Sequence, residues 1–309
     1  MLTSKLGISP ISRNIIDTTI RYSKERGVQL MLIASRNQID SEGGYVGFTS
    51  KEFVDYVRKQ GGDVIICRDH SGSSSIKNDI EVGFDLIHID CSNYWNVHGA
   101  TWWLIKEAGD TLLEVGTEEN TGVATSPDKL RSDLEFITGF ARPEFVVGGT
   151  GSLVKEIYQV GSFALNGTME LVDIAHSFGV KFKEHNADYT TSDDLKLRRR
   201  AGVDAVNIGP ELGVAQTKAV IGLAVNYGLY NELDAFLRRS LESNRWEKWV
   251  YSKPSDFLKS VIAGHYVFNS DEYKRLADKL SQKTDIDGAI NQEIFNLIDH
   301  YERGMNGDS

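Results

Sequence analysis

The sequence predicts an α/β fold, a (β/α)8 TIM barrel with a C-terminal helical extension. Short β-rich runs recur between longer stretches of helical periodicity, which is the pattern of βα units around a parallel sheet. There are eight such runs, the number of strands that closes this barrel. The strand signals stop after Pro210, and only helical patterns follow.

The eight predicted strands are apolar runs rich in Val, Ile and Leu. They cover residues 6–9, 29–35, 63–69, 86–91, 111–116, 144–149, 180–185 and 204–209. Between them, apolar residues at helical spacing alternate with charged residues and predict outer helices. These helices include residues 13–26, 51–59, 153–159, 167–178 and 192–200.

The last third of the chain is predicted to be helical throughout. The patterns cover residues 215–227, 231–241, 254–262, 271–281 and 290–301. We therefore divide the chain into a barrel, residues 1–225, and a helical extension, residues 226–309, which packs on the barrel or lies at an oligomer interface. The aromatic cluster of Trp246, Trp249 and Tyr251 could anchor a partner or pack into a core.

Composition limits the classes of partner. With 309 residues and a formal net charge of −10, the chain can bury a large core, and it lacks the basic surface that a nucleic-acid backbone requires. We expect Arg198-Arg199-Arg200, its one basic run, to be a solvated helix face. No signal peptide or membrane span is expected. Cys67 and Cys91 lie in predicted strands, which favours a reducing, cytoplasmic setting.

Two histidines close apolar runs at predicted strand ends. His70 follows Asp69, and His185 follows Glu184. The carboxyl ends of barrel strands share one rim, where barrel enzymes place their chemistry. With Glu114, at the end of another strand, two imidazoles form a candidate site for a divalent metal such as zinc, and Asp69 could transfer protons there. Glu114 could equally form a salt bridge to a basic residue.

Further polar residues follow other strands. His88, inside a strand, and His98, at the start of a helix, are weaker candidates, because such histidines more often pack or form hydrogen bonds. Four residues could bind a substrate hydroxyl or phosphate, or could only satisfy their own loops. They are Ser35, Asn37, Gln38 and Asn207.

Four stretches carry a family resemblance. They are Ser35-Arg36-Asn37-Gln38 with Gly43-Gly44-Tyr45, Asp69-His70-Ser71-Gly72, the run from Phe182 to Tyr189, and the run from Ala205 to Ala215. In order and spacing they resemble the class II, metal-dependent fructose- and tagatose-bisphosphate aldolase superfamily. Within it, the likeness is closest to the accessory Z-type subunits of tagatose-bisphosphate aldolase. It covers most of the first 220 residues.

The resemblance implies roles for the matching residues. Asp69 would be the general acid, His70 and His185 would bind zinc or another divalent metal, and Glu114 would lie near the metal. Asn207 would contact the substrate. The metal in such enzymes polarises a ketose carbonyl and stabilises the enediolate formed on carbon–carbon cleavage.

The chain also departs from the catalytic family. The family's remaining zinc histidine belongs near residues 149–152, where this sequence has none. That absence implies weaker, altered or absent metal binding. Asn186-Ala187-Asp188 replaces the family's glycine-serine phosphate loop, and we expect Asp188 to repel a phosphate dianion.

The leading hypothesis is a metal-dependent class II aldolase-like lyase that acts on a sugar or sugar phosphate. The alternative is a non-catalytic subunit that stabilises a partner tagatose-bisphosphate aldolase, which the missing histidine favours. A third hypothesis is a lyase or epimerase that uses the same chemistry on an unphosphorylated sugar acid. The retained set of Asp69, His70, Glu114 and His185 favours an enzyme, because a scaffold has no physical need for it.

Overall fold

Eight parallel strands close into a barrel in the structure, a computed structural model that describes residues 2–116, 118 and 121–307. The predicted (β/α)8 barrel with C-terminal helices is therefore confirmed. The barrel strands are β1 (Leu6–Ile8), β2 (Leu30–Ser35), β3 (Val64–Ser71), β4 (Leu86–Asp90), β5 (Leu112–Gly116), β6 (Phe145–Val147), β9 (Lys181–Glu184) and β10 (Ala205–Ile208). β1 pairs with β10, so the eight barrel strands leave no free edge.

Helices surround the barrel. Their bounds are α1 (Arg13–Arg26), α2 (Ser50–Gln60), α3 (Ile76–Val82), α4 (Val97–Ala108), α5 (Pro127–Thr138), α6 (Leu165–Ser177), α7 (Ser192–Ala201) and α8 (Pro210–Asn226). Local sequence fixes several of their starts. Thr49 and Glu52 form a capping box before α2, and Thr191 and Asp194 form one before α7, which satisfies backbone N–H groups that the helix leaves free.

Side chains alternate between the two faces of each strand, as a strand's period of two requires. Inward residues form a small apolar cluster within the barrel, and their outward neighbours join the main core beneath the helices. The inward set includes Met31, Ile33, Cys67, Leu86, Phe145 and Ala205. The outward set includes Leu32, Ile66, Ile87, Val146 and Val206. On β2, β3, β4 and β10 the next inward position after this apolar cluster is polar: Ser35, Asp69, His88 and Asn207 respectively.

The helical extension packs on the barrel. It comprises α9 (Tyr230–Glu242), α10 (Asp256–Ala263), α11 (Asp271–Ser281), α12 (Ile286–Asn306) and two short 3₁₀ helices, Glu247–Trp249 and Gly264–Val267. α12 lies against α1, α7 and α8, where Tyr22 donates a hydrogen bond to Asp299 over 3.0 Å. A role of the extension at an oligomer interface stays a prediction. Within the described residues, no helix has the length and apolar character to cross a membrane.

The helix predicted at residues 153–159 is wrong. The segment forms an antiparallel hairpin, β7 (Val154–Lys155) and β8 (Tyr158–Gln159). Glu156, in its turn, adopts the left-handed region at φ 55°, and its N–H donates to the carbonyl of Trp249 over 2.7 Å. Seven residues are too few for a helix to stabilise itself, so contacts with the extension decide the local structure.

We expected Arg198 to lie on a solvated helix face, and this is wrong. Arg198 is buried on α7. Its guanidinium binds both carboxylate oxygens of Glu184, with Nε to Oε2 at 2.7 Å and Nη2 to Oε1 at 2.8 Å. Glu184 points outward from β9, and the hydroxyls of Thr150 and Ser152 also donate to it. The ion pair is satisfied on all sides in the layer between barrel and helices. The neighbouring Arg200 is exposed.

We predict that Arg198→Met lowers the free energy of unfolding by about 3–5 kcal/mol, because it leaves the Glu184 carboxylate buried and unpaired. The control is Arg200→Met, which removes an exposed charge from the same run and should change stability by no more than about 0.5 kcal/mol. Urea denaturation of both variants tests the prediction. Equal costs for the two would contradict it.

Candidate functional site

Four polar side chains converge inside the barrel near the carboxyl ends of β3, β4 and β9. They are Asp69, His70, His88 and His185, and one potential ligand atom from each lies within 4.8 Å of all the others. The sequence predicted three of them. His88 is the addition, because it points inward from the middle of β4 while Ile87 and Ile89 face the outer core.

A bulge explains how Asp69 and His70, which are consecutive, both reach the cluster. Neighbouring residues of a regular strand point to opposite faces. The register of β3 against β4 shifts between Arg68 and Ser71, and His70 adopts the left-handed region at φ 53°. This conformation is costly for a residue with a side chain, and it often marks functional sites.

Two of the imidazoles each contact a carboxylate through one ring nitrogen. His70 Nδ1 lies 2.7 Å from Asp90 Oδ2, and His185 Nε2 lies 2.6 Å from Glu114 Oε1. Each interaction leaves the other ring nitrogen free to face the cluster. This carboxylate–histidine arrangement orients metal ligands in proteins.

His88 has an unsatisfied nitrogen. Its Nδ1 lies 3.0 Å from Asp69 Oδ1, whereas its Nε2 is buried and has no hydrogen-bond partner among the described residues. Buried polar atoms without partners are rare and often mark a missing ion or water. Three imidazoles, one carboxylate and an unsatisfied buried nitrogen fit a divalent cation that prefers nitrogen and oxygen ligands.

Mutual charge controls protonation in the cluster. The negative charge of Asp69 raises the pKa of His70 to about 9, with a further contribution from Asp90. Burial raises the pKa of Asp69, but the charge of His70 and the hydrogen bond to His88 outweigh it, so this pKa lies below its ordinary value. Burial lowers the pKa of His185. A cation bound by His70 would have to displace its proton, because coordination uses neutral imidazole.

Glu114 does not lie among the grouped ligand atoms, where we expected it. It is buried behind His185, and its Oε2 lies 2.6 Å from the ammonium group of Lys183. Burial raises the pKa of Glu114, but Lys183 and His185 outweigh it and hold this pKa below its ordinary value. Sequence reasoning left the salt bridge open and did not identify Lys183. The alternation of side chains along β9 could have identified Lys183, because Lys183 and His185 are two residues apart and therefore both point into the barrel.

A cavity of about 330 Å³ opens beside Asp69 and His70. The predicted substrate residues Ser35, Asn37 and Gln38 line it. Four further lining residues come from the helical extension, which sequence reasoning treated as packing or interface. They are Lys248, Trp249, His265 and Tyr266.

Two predicted polar residues lie elsewhere. Asn207 is inside the barrel, paired in register with Gly7 of β1, and its Oδ1 is buried without a hydrogen-bond partner in the described part of the chain. It does not line the cavity. His98 lies outside the cluster, as we expected, with Nε2 2.9 Å from Asp133 and its ring stacked on Phe136.

Asp188 does not face the cavity as a repelling charge, which corrects our expectation. Its Oδ1 accepts hydrogen bonds from the N–H groups of Gly209 and Glu211, both at 2.8 Å, at the start of α8. Helix N-termini after the last barrel strands are common phosphate sites. Here the chain's own carboxyl group fills that position. Burial and the nearby charge of Glu211 raise the pKa of Asp188 to about 7.

We predict that Asp188→Asn gains stability over the native chain as the pH rises from about 4 to 7. In the unfolded chain, Asp188 ionises near pH 3.9, whereas in the folded protein it keeps its proton until about pH 7. The folded state therefore binds more protons in this window, so ionisation costs the native chain stability and spares the variant. Thermal unfolding across this range measures the difference. A difference that does not change with pH would refute the assignment.

No family model matches the chain. Its fold is similar to a probable tagatose 6 phosphate kinase from Sinorhizobium meliloti 1021, with TM-score 0.79, 16% identity and coverage of 97% of this chain and 100% of that one. It is also similar to fructuronate-tagaturonate epimerase from Cohnella laeviribosi, with TM-score 0.72, 14% identity and coverage of 97% and 81%. For a putative fructose-1,6-biphosphate aldolase from Coccidioides immitis, the values are 0.59, 13%, 99% and 92%. At these identities the comparisons show a shared barrel fold.

Proposed function

We propose that this chain is a metal-dependent, class II aldolase-like lyase that acts next to the carbonyl group of a sugar or sugar phosphate. The observation that carries the proposal is the convergence of Asp69, His70, His88 and His185 within 4.8 Å. The cluster lies near the carboxyl ends of barrel strands, where enzymes of this fold place their chemistry. The adjoining cavity has a volume suited to a small molecule.

The three histidines would hold the divalent metal, and zinc suits this nitrogen-rich set. When bound, the metal would supply a Lewis acid for the oxygen atoms of the substrate. Asp90 and Glu114 orient His70 and His185, so we reassign Glu114 from ligand to positioning residue. His88 would take the place of the family histidine that residues 149–152 lack.

Asp69 would move the proton. Its Oδ1 is held 3.0 Å from His88, which leaves Oδ2, 3.5 Å from His70 Nε2, as the less restrained oxygen. In its ionised form the Asp69 carboxylate could accept a proton from substrate. Ser35, Asn37 and Gln38 would bind sugar hydroxyl groups across the cavity.

A second candidate is epimerisation of a sugar acid, which would begin with the same proton removal. Two observations favour it: Asp188 fills the helix terminus where phosphate often binds, and the fold is similar to an epimerase at TM-score 0.72. Product analysis separates the two reactions, because cleavage yields two shorter fragments and epimerisation yields an isomer.

We predict a near-stoichiometric divalent metal in the purified protein and its loss in His70→Gln, His88→Gln and His185→Gln. The control is His176→Gln, because His176 is half-exposed and pairs with Asp204, away from the cluster. Elemental analysis measures the metal content. A native protein that holds no metal when supplied with zinc, manganese or iron would refute the proposal and favour the non-catalytic subunit.

We predict that Asp69→Asn keeps the metal and lowers turnover by about 10²–10⁴-fold, the range for loss of a general acid or base. Asp173→Asn, an exposed change of the same chemistry on α6, should leave turnover unchanged. Steady-state kinetics and elemental analysis are run on both variants. Loss of the metal in Asp69→Asn would make Asp69 a ligand instead.

A further inference from the structure

The charged groups that line the cavity differ in whether an opposite charge accompanies them. Asp69 and His70 lie 3.5 Å apart and offset each other's charge. Lys248, which lines the same cavity, forms no ion pair with any described residue. Its ammonium group lies 4.6 Å from the ring centre of Trp249 and 5.8 Å from that of Tyr266. Lys248 therefore brings an uncompensated positive charge to the cavity.

A second cation strengthens this potential. The guanidinium carbon of Arg245 lies 5.9 Å from the ring centre of Tyr266, and Arg245 also forms no ion pair with a described residue. Partial desolvation and the charge of Arg245 lower the pKa of Lys248. An anion bound beside Lys248 would relieve that repulsion.

The hairpin β7–β8 holds Lys248 in place. Lys155 donates to the carbonyl of Lys248 over 2.9 Å, and the N–H of Glu156 donates to that of Trp249. The indole N–H of Trp249 in turn donates to the hydroxyl of Tyr266 over 3.0 Å. The backbone beneath the cation is thus fixed before any ligand arrives, which lowers the ordering cost of binding.

The alternative anion site is filled. The N-terminus of α8, where barrels of this type often bind phosphate, already binds the carboxyl group of Asp188. Among the described residues that line the cavity, Lys248 is the one cation without a carboxylate beside it. A volume of about 330 Å³ suits a single sugar rather than a nucleotide-sugar.

We propose that the cavity binds an anionic monosaccharide whose carboxylate or phosphate is held by Lys248, with Arg245 adding to the positive field. The inference rests on the proposed function for the reacting end of the sugar, which would face Asp69 and the histidines. It goes beyond that function by naming the charge of the substrate and the segment that recognises it. We expect a charge-assisted hydrogen bond of this kind to change the affinity about 10–100-fold, which corresponds to about 1.4–2.8 kcal/mol.

The test uses calorimetric titration of the full chain with three probes: fructose, fructose 6-phosphate and 5-ketogluconate. The phosphate and carboxylate probes separate the two sources of negative charge. We expect at least one of them to bind about 10-fold or more tightly than fructose. Lys248→Met should remove this preference and change fructose affinity by less than about twofold, whereas Lys248→Arg should retain it.

Lys283→Met is the matched control, because Lys283 is exposed between α11 and α12 and should leave all three affinities unchanged. Circular dichroism and metal content establish that each variant is folded. The inference is overturned if neither acid binds more tightly than fructose, if neither binds at all, or if Lys248→Met keeps the preference.

Failure of this inference is distinguishable from failure of the proposed function. If the protein binds metal and turns over a sugar, but Lys248→Met does not change the affinities, the proposed function is supported and the anion site is refuted. If the protein neither binds metal nor turns over a sugar, but Lys248→Met removes the preference for the anionic probes, the anion site is supported and the proposed function is refuted.

Discussion

Pairing of β1 with β10 closes the barrel, and closure brings side chains from strands far apart in the chain into one interior. Each strand must then alternate between a helix-covered face and that interior. Inside the barrel, an apolar cluster is followed toward the carboxyl ends of the strands by polar residues. These include Asp69, His88, Glu114, Lys183 and His185. The buried charges persist because they are paired, with Glu114 held between Lys183 and His185. The position of these five side chains thus depends on strand register more than on any loop.

Much of the fold and part of the site can be predicted from the sequence. The eight barrel strands appear as apolar runs, and Asp69, His70 and His185 are recognisable because they are polar residues at the ends of such runs. The sequence alone gives little weight to His88, because a histidine inside a strand is usually a packing residue. Only the closed barrel, with the bulge of β3 beside it, shows that this mid-strand position reaches the strand-end histidines.

Other features could not be predicted because they depend on contacts across the chain. Lys183 meets Glu114 from a strand 69 residues away. The segment at residues 153–159 has helical periodicity but pairs with itself, because its turn is fixed by the backbone of Trp249. In the sequence, Arg198 resembles a surface charge, whereas in the structure it pairs with the buried Glu184. In each case a partner distant in sequence outweighs local propensity.

The origin of Lys248 has a consequence for how selectivity in this protein could change. The cluster of Asp69, His70, His88 and His185 lies on or directly after barrel strands, whereas Lys248 lies on a short segment between α9 and α10 that hydrogen-bonds to a two-stranded hairpin. Under the proposals made above, reactivity and choice of substrate would be carried by separate stretches of chain. Related barrels could change or lengthen residues 243–252 and so alter their sugar specificity, while the residues of the cluster stay the same. Variable loops on a constant scaffold diversify binding in this way.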